Sequence, residues 1–289
     1  MDLRSMGLGL GFVIMWSSAF TSARIIVAEA PPISSLSLRF FISGVIGVLI
    51  ARFMGQTWHL TRAQWKSVVI FGICQNALYL GLNFVAMQWI EASLASIIAS
   101  TMPLIVALIG WLAFGDRLRP MAIAGLVAGI IGVVLIMGSR FQGNVDLTGI
   151  LLCAIAAVSL AVATLSMRGA SSGGNFMMVV GLQMLVGALA LLGPALAFET
   201  WDVVWNTRLI IAFGYTTLIP GLVATLVWFY LVDRIGAVRA STYHFLNPFF
   251  GVAIAAWILS EPLHWVDVIG VAIIAGGILA VQVAKQKAA

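Results

Sequence analysis

Three polar side chains, Tyr243, His244 and Asn247, lie inside the apolar stretch STYHFLNPFF, just ahead of Pro248. A phenol, an imidazole and an amide can together donate to and accept from a small polar solute, and imidazole can exchange a proton near neutral pH. Tyr243 and Asn247 are four residues apart and share a helix face, with His244 on the neighbouring strip. A second set, Gln75, Tyr79 and Asn83, recurs at four-residue spacing beside Asn76 and forms one polar stripe that drifts slowly around a helix. Trp16, Ser17 and Ser18 form a third. Each set has a plainer reading: interhelical hydrogen bonds worth roughly 0.6 kcal/mol each, or hydroxyls bonded back to their own helix, as for Ser17, Ser96, Ser100, Thr101 and Thr164. These groups suit reversible binding rather than bond breaking. The chain shows no metal-ligand cluster, no Ser–His–Asp set, and no GxSxG or HExxH motif, so neither an enzyme nor a metal site is expected. No cofactor is expected either.

The elements that hold these residues follow from composition. Of 289 residues, 62% are hydrophobic and 9% charged, against roughly 25% charged in a soluble domain. Such a chain cannot clothe itself in polar groups and is expected in a lipid bilayer. The net charge of +5 is scattered through short loops, not gathered with aromatics, so no nucleic-acid partner is expected. Cys74 and Cys153 lie in apolar runs and read as packing residues. Arg4, an apolar run and AEA at 28–30 mimic a secretory leader, but the run is too long and contains Arg24, so a retained first helix is expected.

A bilayer-spanning helix needs roughly 20 apolar residues. Ten runs qualify, at about 7–27, 34–53, 66–87, 92–114, 119–138, 147–167, 176–197, 207–231, 238–259 and 265–284. Placing the N-terminus inside puts Arg4, Arg52, Arg62, Lys66, Arg117, Arg119, Arg168, Arg234, Arg239, Lys285 and Lys287 on the cytoplasmic side. Only Arg140 and Arg208 then fall outside. That asymmetry predicts ten crossings with both termini cytoplasmic. Arg24 and Arg39 fall within spans near their outer ends. Both a functional role, such as attracting a substrate carboxylate, and snorkelling to the headgroups stand for them. Trp228 faces either a cavity or lipid. Trp58, Trp65, Trp89, Trp201, Trp205 and Trp265 read as interfacial.

A constant offset of 145 residues aligns Ala95 with Ala240, Ser96 with Ser241, Pro103 with Pro248, Asp116 with Glu261, Gly125 with Gly270 and Gly132 with Gly277. The chain is thus expected to be two five-helix units, residues 1–140 and 141–289. Five is odd, so the units insert in opposite senses. Their homologous turns have switched charge accordingly: GDRLRP is basic where SEPLHW lacks Lys and Arg. Inverted repeats of this kind mark transporters whose substrate site lies between the halves. Pro103 and Pro248 each remove a backbone N–H, freeing the carbonyls of Ala99 and His244, and read as hinges or kinks.

WSSAF from Trp16, APPISSLSLRF before and through Arg39, and in each half an AS…P stretch, an acidic turn and a glycine-spaced last helix resemble the drug/metabolite transporter superfamily in its ten-helix EamA branch. Within it the chain is similar to YddG-type amino-acid exporters. The resemblance covers essentially the whole chain. It implies an all-α integral membrane protein of the bacterial inner membrane; a monomer is the expectation, and the sequence itself does not fix the oligomeric state. It also implies export of small metabolites, foremost aromatic and other neutral amino acids, by alternating access through a central cavity, with the fifth and tenth helices peripheral. Trp16, Ser17, Gln75, Tyr79, Asn83, Tyr243, His244 and Asn247 are the expected substrate contacts. The alternative is another small solute of the superfamily: a drug, nucleoside or sugar phosphate. Dianionic sugar phosphates fit less well, because no lysine lies inside a span beyond Lys66 at the very edge of the third. A channel would want charged rings or a carbonyl filter.

Overall fold

The computed structural model of the chain describes residues 3–115, 119–141, 146–166, 174–235, 240 and 242–286. The loop charges expected at Arg117, Arg140, Arg168 and Arg239, and the Asp116 end of the repeat, lie outside the described residues or have undescribed side chains. Among the described residues all regular structure is helical. Ten helical stretches are named here in chain order: α1 (Leu3–Glu29), α2 (Pro32–Phe53), α3 (Arg62–Ala86), α4 (92–114), α5 (Pro120–Phe141), α6 (Leu147–Ser166), α7 (Phe176–Phe198), α8 (207–235), α9 (242–259) and α10 (Trp265–Gln286). Eight are long and apolar enough to cross a bilayer by themselves, and α5 and α9 contain shorter apolar helices, Pro120–Ile136 and Tyr243–Leu259. Helices suit this chain because lipid offers no partner to an unbonded backbone group.

Small residues let the helices meet closely. The most extensive pairings are α2 with α7 and α5 with α10. A β-carbon on Gly125 would stand 2.6 Å from the carbonyl oxygen of Gly277, and one on Gly132 would stand 2.9 Å from that of Gly270. Gly44 and Gly47 meet Gly181 in the same way. Without glycine these backbones could not approach, and in lipid it is close van der Waals packing that holds helices together. The other partnerships come in corresponding sets. Helix α1 packs on α8 and α9, and α6 packs on α3 and α4, the same pairing moved by one repeat.

Carboxylates and amides tie helix starts to the opposite half. Glu199, after the end of α7, accepts from the backbone N–H groups of Ile33 and Ser34 at 2.8 and 2.7 Å. Glu261, after α9, accepts from those of Ala92 and Ser93 at 2.8 and 2.9 Å. At the other end of the α2–α7 pair, Gln56 accepts from the N–H of Met178. Each satisfies donors that a helix start leaves without an internal partner.

The helices are irregular at repeat-related places. Helix α3 is π-helical over Gly72–Leu80 and α8 over Ile219–Val223. Subtracting the 145-residue offset puts the second segment at 74–78, within the first. Helix α4 restarts at Met102 and α9 passes from a 3-10 turn, Thr242–Leu246, to an α-helix at Asn247. Pro103 and Pro248 thus occupy the first turn of a new segment, where a missing N–H costs nothing. Before Pro103 the ladder tightens, with the Thr101 N–H donating to the Ile98 carbonyl at 3.1 Å.

Candidate functional site

A cavity of about 630 Å³, its mouth included, opens between α1, α2, α3 and α8. Helix α1 contributes Trp16 and Phe20, and α2 contributes Arg39 and Phe40. Helix α3 supplies a full wall of Gln75, Asn76, Tyr79, Asn83 and Met87, and α8 supplies Pro220, Gly221 and Thr225. The four-residue stripe of α3 lines one side, as its slow drift around the helix allows. Both π segments face this space.

The lining is apolar with a few polar groups, and several of those have no protein partner among the described residues. The Trp16 indole N–H, the Gln75 amide, the Tyr79 hydroxyl and the Arg39 guanidinium all lack one. Asn76 and Asn83 differ. Asn76 Nδ2 donates to the Gln183 carbonyl at 2.9 Å and ties α3 to α7. Asn83 Nδ2 donates to the Tyr79 carbonyl, and its Oδ1 accepts from the Cys153 thiol at 3.2 Å. Asn83 lines the cavity, yet its hydrogen bonds are spent on its own helix and on α6.

The structure brings Trp16, Gln75, Tyr79 and Asn83 together around the cavity. Ser17, Tyr243, His244 and Asn247 lie in the packed layer beside it. The His244 ring stands 5.4 Å from Phe12, 6.5 Å from Trp16 and 5.1 Å from Trp228, centroid to centroid. Asn247 Nδ2 donates to its Nδ1 at 2.9 Å. Ser17 Oγ donates to the Asn247 carbonyl at 3.3 Å, joining α1 to α9. Tyr243 is buried and its hydroxyl donates to the Ser5 carbonyl at 3.2 Å; Arg234 Nε donates to Ser5 Oγ. Along α1 the order is therefore Ser5, Phe12, Trp16, cavity. Trp16 belongs to both regions: its indole closes the cavity on the side of the N-terminal end of α1. Trp228 faces this aromatic layer.

The sequence left Arg39 between a functional and a snorkelling role, and two further contributors, Tyr215 and Pro220, were not singled out by its patterns. Arg39 is 5% exposed and lines the cavity, so its charge does not reach the bundle surface. Arg24 is half-buried and outside the lining. Tyr215 shares a 2.7 Å hydrogen bond with Ser18 and couples α8 to α1. Pro220 sets the π segment of α8; a proline in an unbroken apolar run was its only signal.

The sequence matches the model of the EamA-like transporter family twice, over residues 3–138 and 147–282. It is 27% identical to the uncharacterized transporter YvbV of Bacillus subtilis, over 87% of this chain and 82% of that one. It is 25% identical to the chloroplastic WAT1-related protein At3g02690 of Arabidopsis thaliana, over 89% and 64% of the two chains. It is 23% identical to the uncharacterized inner membrane transporter YedA of Escherichia coli K12, over 94% and 88%. A solved crystal structure aligns along the whole of both chains with a TM-score of 0.69 at 21% identity, a likeness of fold. With both matches side by side along nearly its full length, the chain belongs to the EamA-like transporter family.

Proposed function

We infer that the chain is a multi-pass exporter of the bacterial inner membrane. It moves small metabolites, foremost aromatic and other neutral amino acids, by alternating access through the cavity between α1, α2, α3 and α8. Its ten helices cross as two inverted five-helix units with both termini cytoplasmic, and the monomer is the working unit.

One observation carries the substrate reading. Phe20, Phe40 and Met87 offer an apolar surface, and the Trp16 indole, Gln75 amide and Tyr79 hydroxyl around it lack hydrogen-bond partners among the described residues. A solute with an apolar side chain and a polar head supplies what both halves of that lining need. A hydroxyl or amide left facing an apolar space costs about 1–3 kcal/mol, so a solute that bonds it is held in place.

The test is a flux panel in liposomes holding the purified full chain, with neutral amino acids, sugars and sugar phosphates, with and without a pH gradient. Neutral amino-acid flux above empty liposomes is expected. Flux confined to sugars or sugar phosphates would overturn the substrate reading.

A further inference from the structure

We propose that Arg39 is an anion subsite of the cavity, and that its guanidinium holds the single carboxylate of the transported solute. The proposal rests on the transporter reading and narrows its substrate class to solutes with one carboxylate.

Arg39 lies on α2, 5% exposed, in the cavity wall. A guanidinium is always charged and carries five N–H donors in a planar fork. Here Nε is buried without a hydrogen-bond partner, and no carboxylate pairs with the group among the described residues. Its nearest aromatic partner is Phe40, whose ring centroid lies 5.1 Å from Cζ. A buried charge in this condition is among the costliest arrangements a protein can hold, and it persists where a partner arrives later. Gly221, in the π segment of α8, lies beside the fork: a β-carbon there would stand 3.7 Å from Nη2, at ordinary contact distance. Glu199, the carboxylate seated at the start of α2, already accepts two backbone N–H groups of that helix.

The stoichiometry of charge selects the ligand. One guanidinium neutralises one carboxylate, and the fork matches its two oxygens. A phosphate dianion would bring a second negative charge into an aromatic pocket with no further cation in its lining. The Trp16 indole N–H, Gln75 and Tyr79 remain for the rest of the solute.

The test measures binding to the purified full chain in nanodiscs with three probes of one shape: L-phenylalanine, 3-phenylpropionate without the amine, and phenethylamine without the carboxylate. Phenyl phosphate provides a fourth. The expected order places both carboxylates at least tenfold above phenethylamine and above phenyl phosphate. In Arg39→Gln the carboxylates weaken roughly 30-fold while phenethylamine is unchanged, and Arg39→Lys restores part of the loss. Thermal unfolding without ligand controls for folding, and Arg39→Gln is expected to be no less stable than wild type. Phenethylamine binding as tightly as 3-phenylpropionate to the wild type overturns the proposal without any variant. Tighter binding of phenyl phosphate overturns the choice of carboxylate. Amino-acid flux in liposomes with an unchanged KM in Arg39→Gln removes the subsite and leaves the exporter standing. Carboxylate binding through Arg39 without amino-acid flux removes the amino-acid reading and leaves the subsite.

Discussion

The phenol ring of Tyr243 occupies the space that a side chain on Gly9 would need. Helices α1 and α9 meet there, and the Tyr243 hydroxyl reaches past Gly9 to the Ser5 carbonyl. A β-carbon at position 9 must push the ring aside and break that bond. Gly9→Ala is therefore expected to destabilise the protein by about 1–3 kcal/mol, as overpacking does. Tyr243→Phe keeps the ring and loses one hydrogen bond, roughly 0.6 kcal/mol in a membrane. Thermal unfolding in detergent should rank Gly9→Ala below Tyr243→Phe, and the reverse order would refute this account of the contact.

Tyr79 and Tyr243 share a residue type and differ in surroundings. The Tyr79 hydroxyl has no hydrogen-bond partner among the described residues and faces the cavity. Tyr79→Phe is expected to leave the melting temperature within a degree or two and to raise KM for a bound solute about fivefold, equivalent to one hydrogen bond of ~1 kcal/mol. Tyr243→Phe should leave KM unchanged. Liposome flux at several substrate concentrations separates the two.

His244 sits among Phe12, Trp16 and Trp228, outside the cavity lining. His244→Phe preserves an aromatic ring there and is expected to retain flux. His244→Ala removes ring contacts worth about 0.5–1.5 kcal/mol per pair and leaves a gap between the cavity and the N-terminal end of α1. Leak of a small dye such as carboxyfluorescein through reconstituted His244→Ala, absent in His244→Phe, is the expected sign. If flux is lost in His244→Phe at normal protein yield, the imidazole itself takes part in transport.

Glu261 holds the start of α4 from the end of α9. Glu261→Gln retains one acceptor and loses the charge at a helix N-terminus; Glu261→Ala loses both bonds. The expected losses of stability are about 0.5–1 and about 2–3 kcal/mol. Unfolding midpoints for the two variants, compared with Glu199→Gln and Glu199→Ala on α2, test whether the two caps are equivalent.

Much of the fold could be read from the chain because lipid imposes few rules. Apolar runs gave helices in the right places, and the Gly125–Gly270 and Gly132–Gly277 correspondences turned out to mark the mutual contacts of α5 and α10. The cavity was only half legible. Gln75, Tyr79 and Asn83 announced a face by their spacing, and that face does line the space. Tyr243, His244 and Asn247 announced polarity just as loudly, yet they lie outside the lining, bonded to Ser5 and to one another and packed on an aromatic layer, with Asn247 Oδ1 buried and without a partner among the described residues. Spacing reports which residues share a face; it does not say whether that face meets a hole or another helix. The π segment of α3 left no trace, since no proline or paired glycines mark it. Arg39 lay between two readings because its position along α2 suited both, and only burial distinguished them.

The unpaired charge of Arg39 has an electrical consequence. With no carboxylate paired to it among the described residues, the empty cavity carries one positive charge inside the membrane field. Moving a full charge across that field is worth about 2.3 kcal/mol per 100 mV. A rearrangement that displaces Arg39 through part of the field is thus voltage-dependent when the cavity is empty. A zwitterionic amino acid leaves that net charge in place, whereas a carboxylate without an amine makes the moving part neutral and the same step electrically silent.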